Sequence, residues 1–219
     1  MSSGQDRRAR LAAARLYFVA DRAGLAHALD GALAGGADLV QLRDKDATDD
    51  ELLEAAAWIR ERCIAAGALF IVNDRPDLAV AAGADGVHVG QDDIPVAEAR
   101  AVVGADAIVG LSTHSIEQAD AGARSGADYI AVGPVHATPT KEGRPAIGLD
   151  PVRHAAAGIA LPWFAIGGID AHTAGSVADA GATRLVIVRA IAHAADPEAA
   201  TRELRSRLDT GAVGAHDPA

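Results

Sequence analysis

A three-residue phrase recurs along the chain, each time ahead of an apolar run. Gly36-Ala37-Asp38 precedes Leu39-Val40-Gln41, Gly83-Ala84-Asp85 precedes Gly86-Val87-His88, and Gly126-Ala127-Asp128 precedes Tyr129-Ile130-Ala131-Val132. Gly181-Ala182-Thr183 stands ahead of Leu185-Val186-Ile187-Val188. The glycine supplies the left-handed residue that ends a helix, and the run that follows reads as a buried strand. Each interval between phrases is too long for one strand–helix unit and suits two.

A second set of apolar runs fills those intervals: Leu16–Ala20, Leu69–Asn73, Ala107–Leu111 and Trp163–Ile166. Helical patterns lie between, near 24–34, 49–66, 76–82, 95–103, 115–125, 149–157, 171–180 and 196–208. Short strands alternating with helices predict a parallel sheet. An open nucleotide-binding sheet would carry Gly-x-Gly-x-x-Gly after its first strand, and Asp21-Arg22-Ala23-Gly24 stands there instead. The expectation is a single (β/α)8 TIM barrel over residues 15–208, with its active site at the C-terminal ends of the strands. Residues 1–14 are expected to be a flexible N-terminus and 209–219 a flexible tail.

Composition excludes several classes. A net charge of −10 over 219 residues argues against a nucleic-acid binder. No apolar run reaches the ~20 residues that span a bilayer, and the basic start lacks an apolar signal core. The lone cysteine, Cys63, fits a reducing compartment and reads as core, so the expected location is the cytoplasm. An anionic ligand would need a local positive patch, or a metal, on this acidic body.

The residues after the strands supply such a patch. Gln41-Leu42-Arg43-Asp44-Lys45 ends a strand in an amide and two cations, which suits a diphosphate; a solvated turn is the alternative. Asn73-Asp74, His88-Val89-Gly90-Gln91-Asp92-Asp93 and Ser112-Thr113-His114 follow later strands. Asp74 and Asp93 offer hard oxygen ligands for Mg²⁺, or N-caps for the helices behind them, a role Asp92 fits at least as well. Thr138-Pro139-Thr140-Lys141 presents two hydroxyls and an ammonium in a stiffened loop. Gly167-Gly168 ahead of a helix exposes backbone N–H groups to an anion, and Arg189 follows the last strand. His88 reads as packed and hydrogen-bonded, and Ser112, outside any Gly-x-Ser-x-Gly elbow, as a hydrogen-bond donor to ligand.

Taken in order, these blocks resemble the thiamine-phosphate synthase family, with Gly110-Leu111-Ser112, Gly133-Pro134-Val135 and Ala165-Ile166-Gly167-Gly168-Ile169 completing the match. The resemblance implies a transferase that joins hydroxymethylpyrimidine diphosphate to thiazole phosphate and releases diphosphate by a dissociative route. By position it implies that Gln41, Arg43, Lys45, Asn73, Ser112 and Lys141 hold the pyrimidine diphosphate, with Leu42 and Asp44 in the same binding stretch. Arg43, Lys45 and Lys141 would stabilise the leaving group. Asp74 and Asp93 would hold the cofactor Mg²⁺. Thr138, Pro139, Thr140, Gly168 and the pair Val188-Arg189 would bind thiazole phosphate.

Two departures stand out. His136-Ala137 replaces the family's common Phe-Pro, and Arg189 its common Ser; Arg189 either binds phosphate or turns into a salt bridge. The rival readings are a thiazole tautomerase of the same fold, which lacks the cationic pair, and a non-catalytic phosphate-ligand-binding barrel. The expected partners are small molecules rather than nucleic acid or membrane, and homo-oligomerisation is left open.

Overall fold

The computed structural model describes residues 3–138 and 145–211. Strands β1 (Leu16–Ala20), β2 (Leu39–Leu42), β3 (Leu69–Asn73), β4 (Gly86–Val89), β5 (Ile108–Thr113), β6 (Tyr129–Val132), β7 (Trp163–Ile166) and β8 (Leu185–Ile187) form a closed barrel. All neighbours run parallel, and closure comes from β8 against β1 with Leu185 opposite Leu16. Helices α1 (Gly4–Ala13), α2 (Arg22–Ala34), α3 (Asp49–Ala66), α4 (Pro76–Ala81) and α5 (Val96–Val103) belong to the first half. The second half carries α6 (Ile116–Ala123), α7 (Asp150–Gly158), α8 (Ala174–Asp179), α9 (Arg189–Ala192) and α10 (Pro197–Gly211).

Local chemistry sets the boundaries. In α3 the Thr48 side chain accepts from Glu51 N–H while the Glu51 carboxylate accepts from Thr48 N–H, a reciprocal cap, and Gly67 ends the helix at φ 72°. The Gly-Ala-Asp phrase does more than end helices. The carboxylate of Asp38, just before β2, accepts from the Leu16 N–H of β1 at 2.9 Å. Asp85, before β4, accepts from Phe70 N–H of β3 at 3.0 Å, and Asp128, before β6, from Val109 N–H of β5 at 2.8 Å. Each aspartate thus pins the start of the preceding strand, and Thr183 breaks the series at β8.

Alternation along the strands divides the core into two. Leu16 and Phe18 of β1 face the helices with Val40, Leu42, Phe70 and Val72, whereas Tyr17 and Val19 face the barrel interior with Leu39, Ile71, Tyr129 and Phe164. Three interior aromatics, Tyr17, Tyr129 and Phe164, meet edge to face at 5.6–5.9 Å between ring centres.

The N-terminus departs from the expected flexible segment. Ser3 caps α1 through Asp6 N–H, and Leu11 inserts into the interior core, 2% exposed. Arg7 pairs with Asp85 at 2.8 Å and Arg8 with Asp128 at 2.7 Å. The basic run that read as a frayed start finds its counter-charges in two of the repeated aspartates. It closes the end of the barrel opposite the strand C-termini. At the other terminus, helix α10 continues to Gly211, beyond the expected boundary at 208.

Candidate active site

The strand C-termini surround a cavity of about 710 Å³. Period two decides which residues reach it. Gln41 faces inward and Leu42 therefore faces outward, 2% exposed in the outer core; Leu42 does not join the ligand-facing set expected of it. Beyond the strand end Arg43 and Lys45 line the cavity again, but Asp44 does not. Asp44 accepts from Arg22 Nε at 3.0 Å and from Asp46 N–H at 3.3 Å, so its carboxylate holds the β2–α3 loop rather than a ligand.

Asn73, Asp74, Asp93, Ser112, Thr138, Gly168, Val188 and Arg189 all line the same cavity. Pro139, Thr140 and Lys141 lie outside the described residues. Arg189 opens the short α9, an element not anticipated from the sequence. Gly168 was expected at a helix start. Residues 171–173 instead form a turn in which Asp170 Oδ1 accepts from His172 and Thr173 N–H, and α8 begins only at Ala174. What requires glycine at 168 is close approach: at φ 63°, a Cβ there would stand 2.7 Å from His136 Cβ and 2.9 Å from the Ala137 carbonyl.

Two carboxylates and a cation form the mouth. Lys45 Nζ lies 3.4 Å from Asp74 Oδ2, and the Asp93 carboxyl stands within hydrogen-bonding reach of Asp74. Asp74 adopts φ 59°, left-handed backbone that Asp tolerates better than most residues, with its N–H donating to the His88 carbonyl at 2.8 Å. Asp93 accepts from Gly90 N–H at 2.7 Å. Neither carboxylate caps a helix; Arg75 and Pro95 hold those positions without side-chain caps. Burial, then the neighbouring Asp93, push the Asp74 carboxyl above its usual range, and Lys45 pulls partly against them.

A polar chain runs beneath. Gln41 Nε2 donates to Tyr17 Oη, Tyr17 Oη meets Tyr129 Oη at 2.9 Å, and Tyr129 Oη meets His88 Nδ1 at 2.9 Å. His88 Nε2 meets Ser112 Oγ at 2.8 Å. Burial raises both phenols well above their ordinary range, so both remain protonated. His88 is hydrogen-bonded, as expected, but its partner Tyr129, and Tyr17 one link further along, were not among the expected site residues. Their inward parity was the available signal. Cys63 is buried in α3 with its thiol pushed up to about 12, which leaves it no nucleophilic role.

A closed (β/α)8 barrel whose mouth gathers cations, amides and paired carboxylates from several loops defines a class of small-molecule enzyme. The chain belongs to the thiamine monophosphate synthase family, whose model matches residues 16–191. It is 52% identical to the thiamine-phosphate synthase of Thermobifida fusca, over 94% of this chain and 97% of that one. It is 50% identical to that of Gloeobacter violaceus, over 96% of this chain but 62% of the longer protein; the chain thus spans about three fifths of some relatives it matches. Thiamine phosphate pyrophosphorylase from Pyrococcus furiosus superposes with a TM-score of 0.84 at 33% identity, covering 93% of this chain and 98% of that one.

Proposed function

We propose that the chain is a thiamine-phosphate synthase, joining hydroxymethylpyrimidine diphosphate to thiazole phosphate with release of diphosphate. The observation that carries this reading is the convergence of Arg43 and Lys45 with Asp74 and Asp93 on neighbouring loops at one cavity mouth. That set suits a metal-bound diphosphate leaving group.

The paired carboxylates fit a divalent cation. Burial first, and then the neighbouring Asp93, raise the Asp74 carboxyl, and a bound cation would offset both effects. Mg²⁺ takes one or two carboxylates and completes its shell with phosphate and water, a demand that the Asp74–Asp93 pair would meet. Asp74 and Asp93 would hold it, and it would neutralise charge on the diphosphate.

The rest of the chemistry falls to the chain. Arg43 and Lys45 grip the departing diphosphate as the C–O bond to the pyrimidine methylene breaks. The thiazole nitrogen then forms the new C–N bond to the resulting pyrimidinylmethyl cation. No protein nucleophile is required. Ser112 and Gln41, at the cavity floor, orient the pyrimidine, while Thr138, Gly168, Val188 and Arg189 hold the thiazole phosphate opposite, so rate enhancement comes largely from positioning. Lys141, by its place in the sequence, would add a third cation to the leaving group, with Pro139 and Thr140 beside it in the thiazole-phosphate loop. Small-molecule biosynthesis of this kind belongs in the cytoplasm; no helix among the described residues is long and apolar enough to cross a membrane.

The test is a product assay with both heterocycles and Mg²⁺. Thiamine phosphate and inorganic diphosphate in equal amounts are expected. Isomerised thiazole without coupling would assign the chain to the tautomerases, and no reaction with either would leave a binding barrel.

A further inference from the structure

We propose that Tyr17, Tyr129 and His88 are positioning residues that tie the hydrogen-bonding polarity of Ser112 to the orientation of the Gln41 amide, so that the two ends read one edge of the heteroaromatic ring. The proposal rests on the synthase reading only for the identity of that ring.

The five groups form one unbroken file, and all are buried: Gln41 3%, Tyr17 1%, Tyr129 0%, His88 7% and Ser112 6% exposed. Each tyrosine hydroxyl has a single proton to give. Gln41 Nε2 donates to Tyr17, so Tyr17 gives its proton to Tyr129, and Tyr129 gives its own to His88 Nδ1. His88 is then the tautomer carrying its proton on Nε2, which it donates to Ser112 Oγ. The Ser112 proton is released to a ligand acceptor, and Gln41 Oε1 is left to accept from a ligand donor. Turning the amide over reverses every link: Gln41 then offers a donor and Ser112 an acceptor. The Ser112 proton therefore reaches the cavity together with the Gln41 oxygen, or a Ser112 lone pair together with Gln41 N–H groups; in the first arrangement the amide also keeps its second N–H. A ring bearing an amino group beside a ring nitrogen satisfies both ends. A ring offering two donors or two acceptors leaves a buried group unpaired.

The sheet is built for this path. Gly110 pairs with His88 on β4 and with Tyr129 on β6. A side chain at Gly110 would collide with the Tyr129 ring and hydroxyl, so its absence lets Tyr129 reach across to His88.

NMR of the imidazole nitrogens in the full chain tests the coupling whatever the activity. Wild-type His88 is expected as the Nε2–H tautomer. Tyr17→Phe keeps the aromatic ring but cuts the link to Gln41, and should let the two tautomers average. A wild-type His88 already averaged between tautomers overturns the proposal, as does an unchanged signal in Tyr17→Phe. Kinetics supply a second reading. Tyr17→Phe and Tyr129→Phe should each lower kcat/KM for the pyrimidine substrate about tenfold or more while leaving KM for thiazole phosphate unchanged. Equal losses on both substrates would mark the tyrosines as packing alone. Failure of the synthase reading would show separately, as absence of product from wild type.

Discussion

Lys45 Nζ stands 3.4 Å from Asp74 Oδ2, on a residue whose backbone is held left-handed and whose carboxyl also faces Asp93. Lys45 offsets only part of the negative charge of these two adjacent acids, the condition in which a divalent ion and an anionic substrate bind together. Several consequences can be measured.

Arg43→Ala removes a planar pair of donors from the leaving-group side. We expect kcat/KM to fall by about 10² or more, with the melting temperature close to wild type because Arg43 lines the cavity rather than the core. Steady-state kinetics and a thermal melt check the two halves together.

The Asp74 carboxyl titrates above its ordinary 3.8. In the metal-free protein the folded state therefore holds a proton that the unfolded state has already lost. That contribution to stability is complete below pH 3.8 and disappears as pH rises through the raised value. A cation competes with the same proton, so Mg²⁺ affinity should weaken on acidification from higher pH than an ordinary aspartate would give. Asp74→Asn, which keeps a residue tolerant of positive φ, should raise the metal-free melting temperature at neutral pH and flatten the Mg²⁺ dependence of activity.

Leu11 fills the closed end of the barrel. Leu11→Ala should cost about 2–5 kcal/mol of unfolding free energy by denaturant titration, with KM for both substrates unchanged because the cavity lies at the other end.

Gly168→Ala places a methyl group against His136 and Ala137 at φ 63°. The left-handed backbone alone costs about 1–2 kcal/mol. We expect KM for thiazole phosphate to rise more than KM for the pyrimidine substrate, in an assay that varies each separately.

Much of this arrangement is legible in the sequence, for physical reasons. Glycine at helix ends and apolar runs behind it mark the strands almost to the residue, and strand ends rich in Arg, Lys, Asn and Asp mark the mouth. What escapes sequence reading is pairing across long separations. The basic segment around Arg7 and Arg8 looks solvated until Asp85 and Asp128 arrive beneath it. Asp44 looks like part of the anion site until Arg22 takes it. Leu42 sits within the motif, yet strand parity sends it outward. The Tyr17–Tyr129 contact joins residues far apart in the chain, and strand parity shows only that each faces inward, not that they meet.

Titration calorimetry of inorganic diphosphate into the protein, with and without Mg²⁺, tests the leaving-group site most directly. Tight binding should require Mg²⁺ and should be lost in both Arg43→Ala and Asp74→Asn. Binding of equal strength without the ion, or undiminished in either variant, would contradict a diphosphate site built from Arg43, Lys45, Asp74 and Asp93.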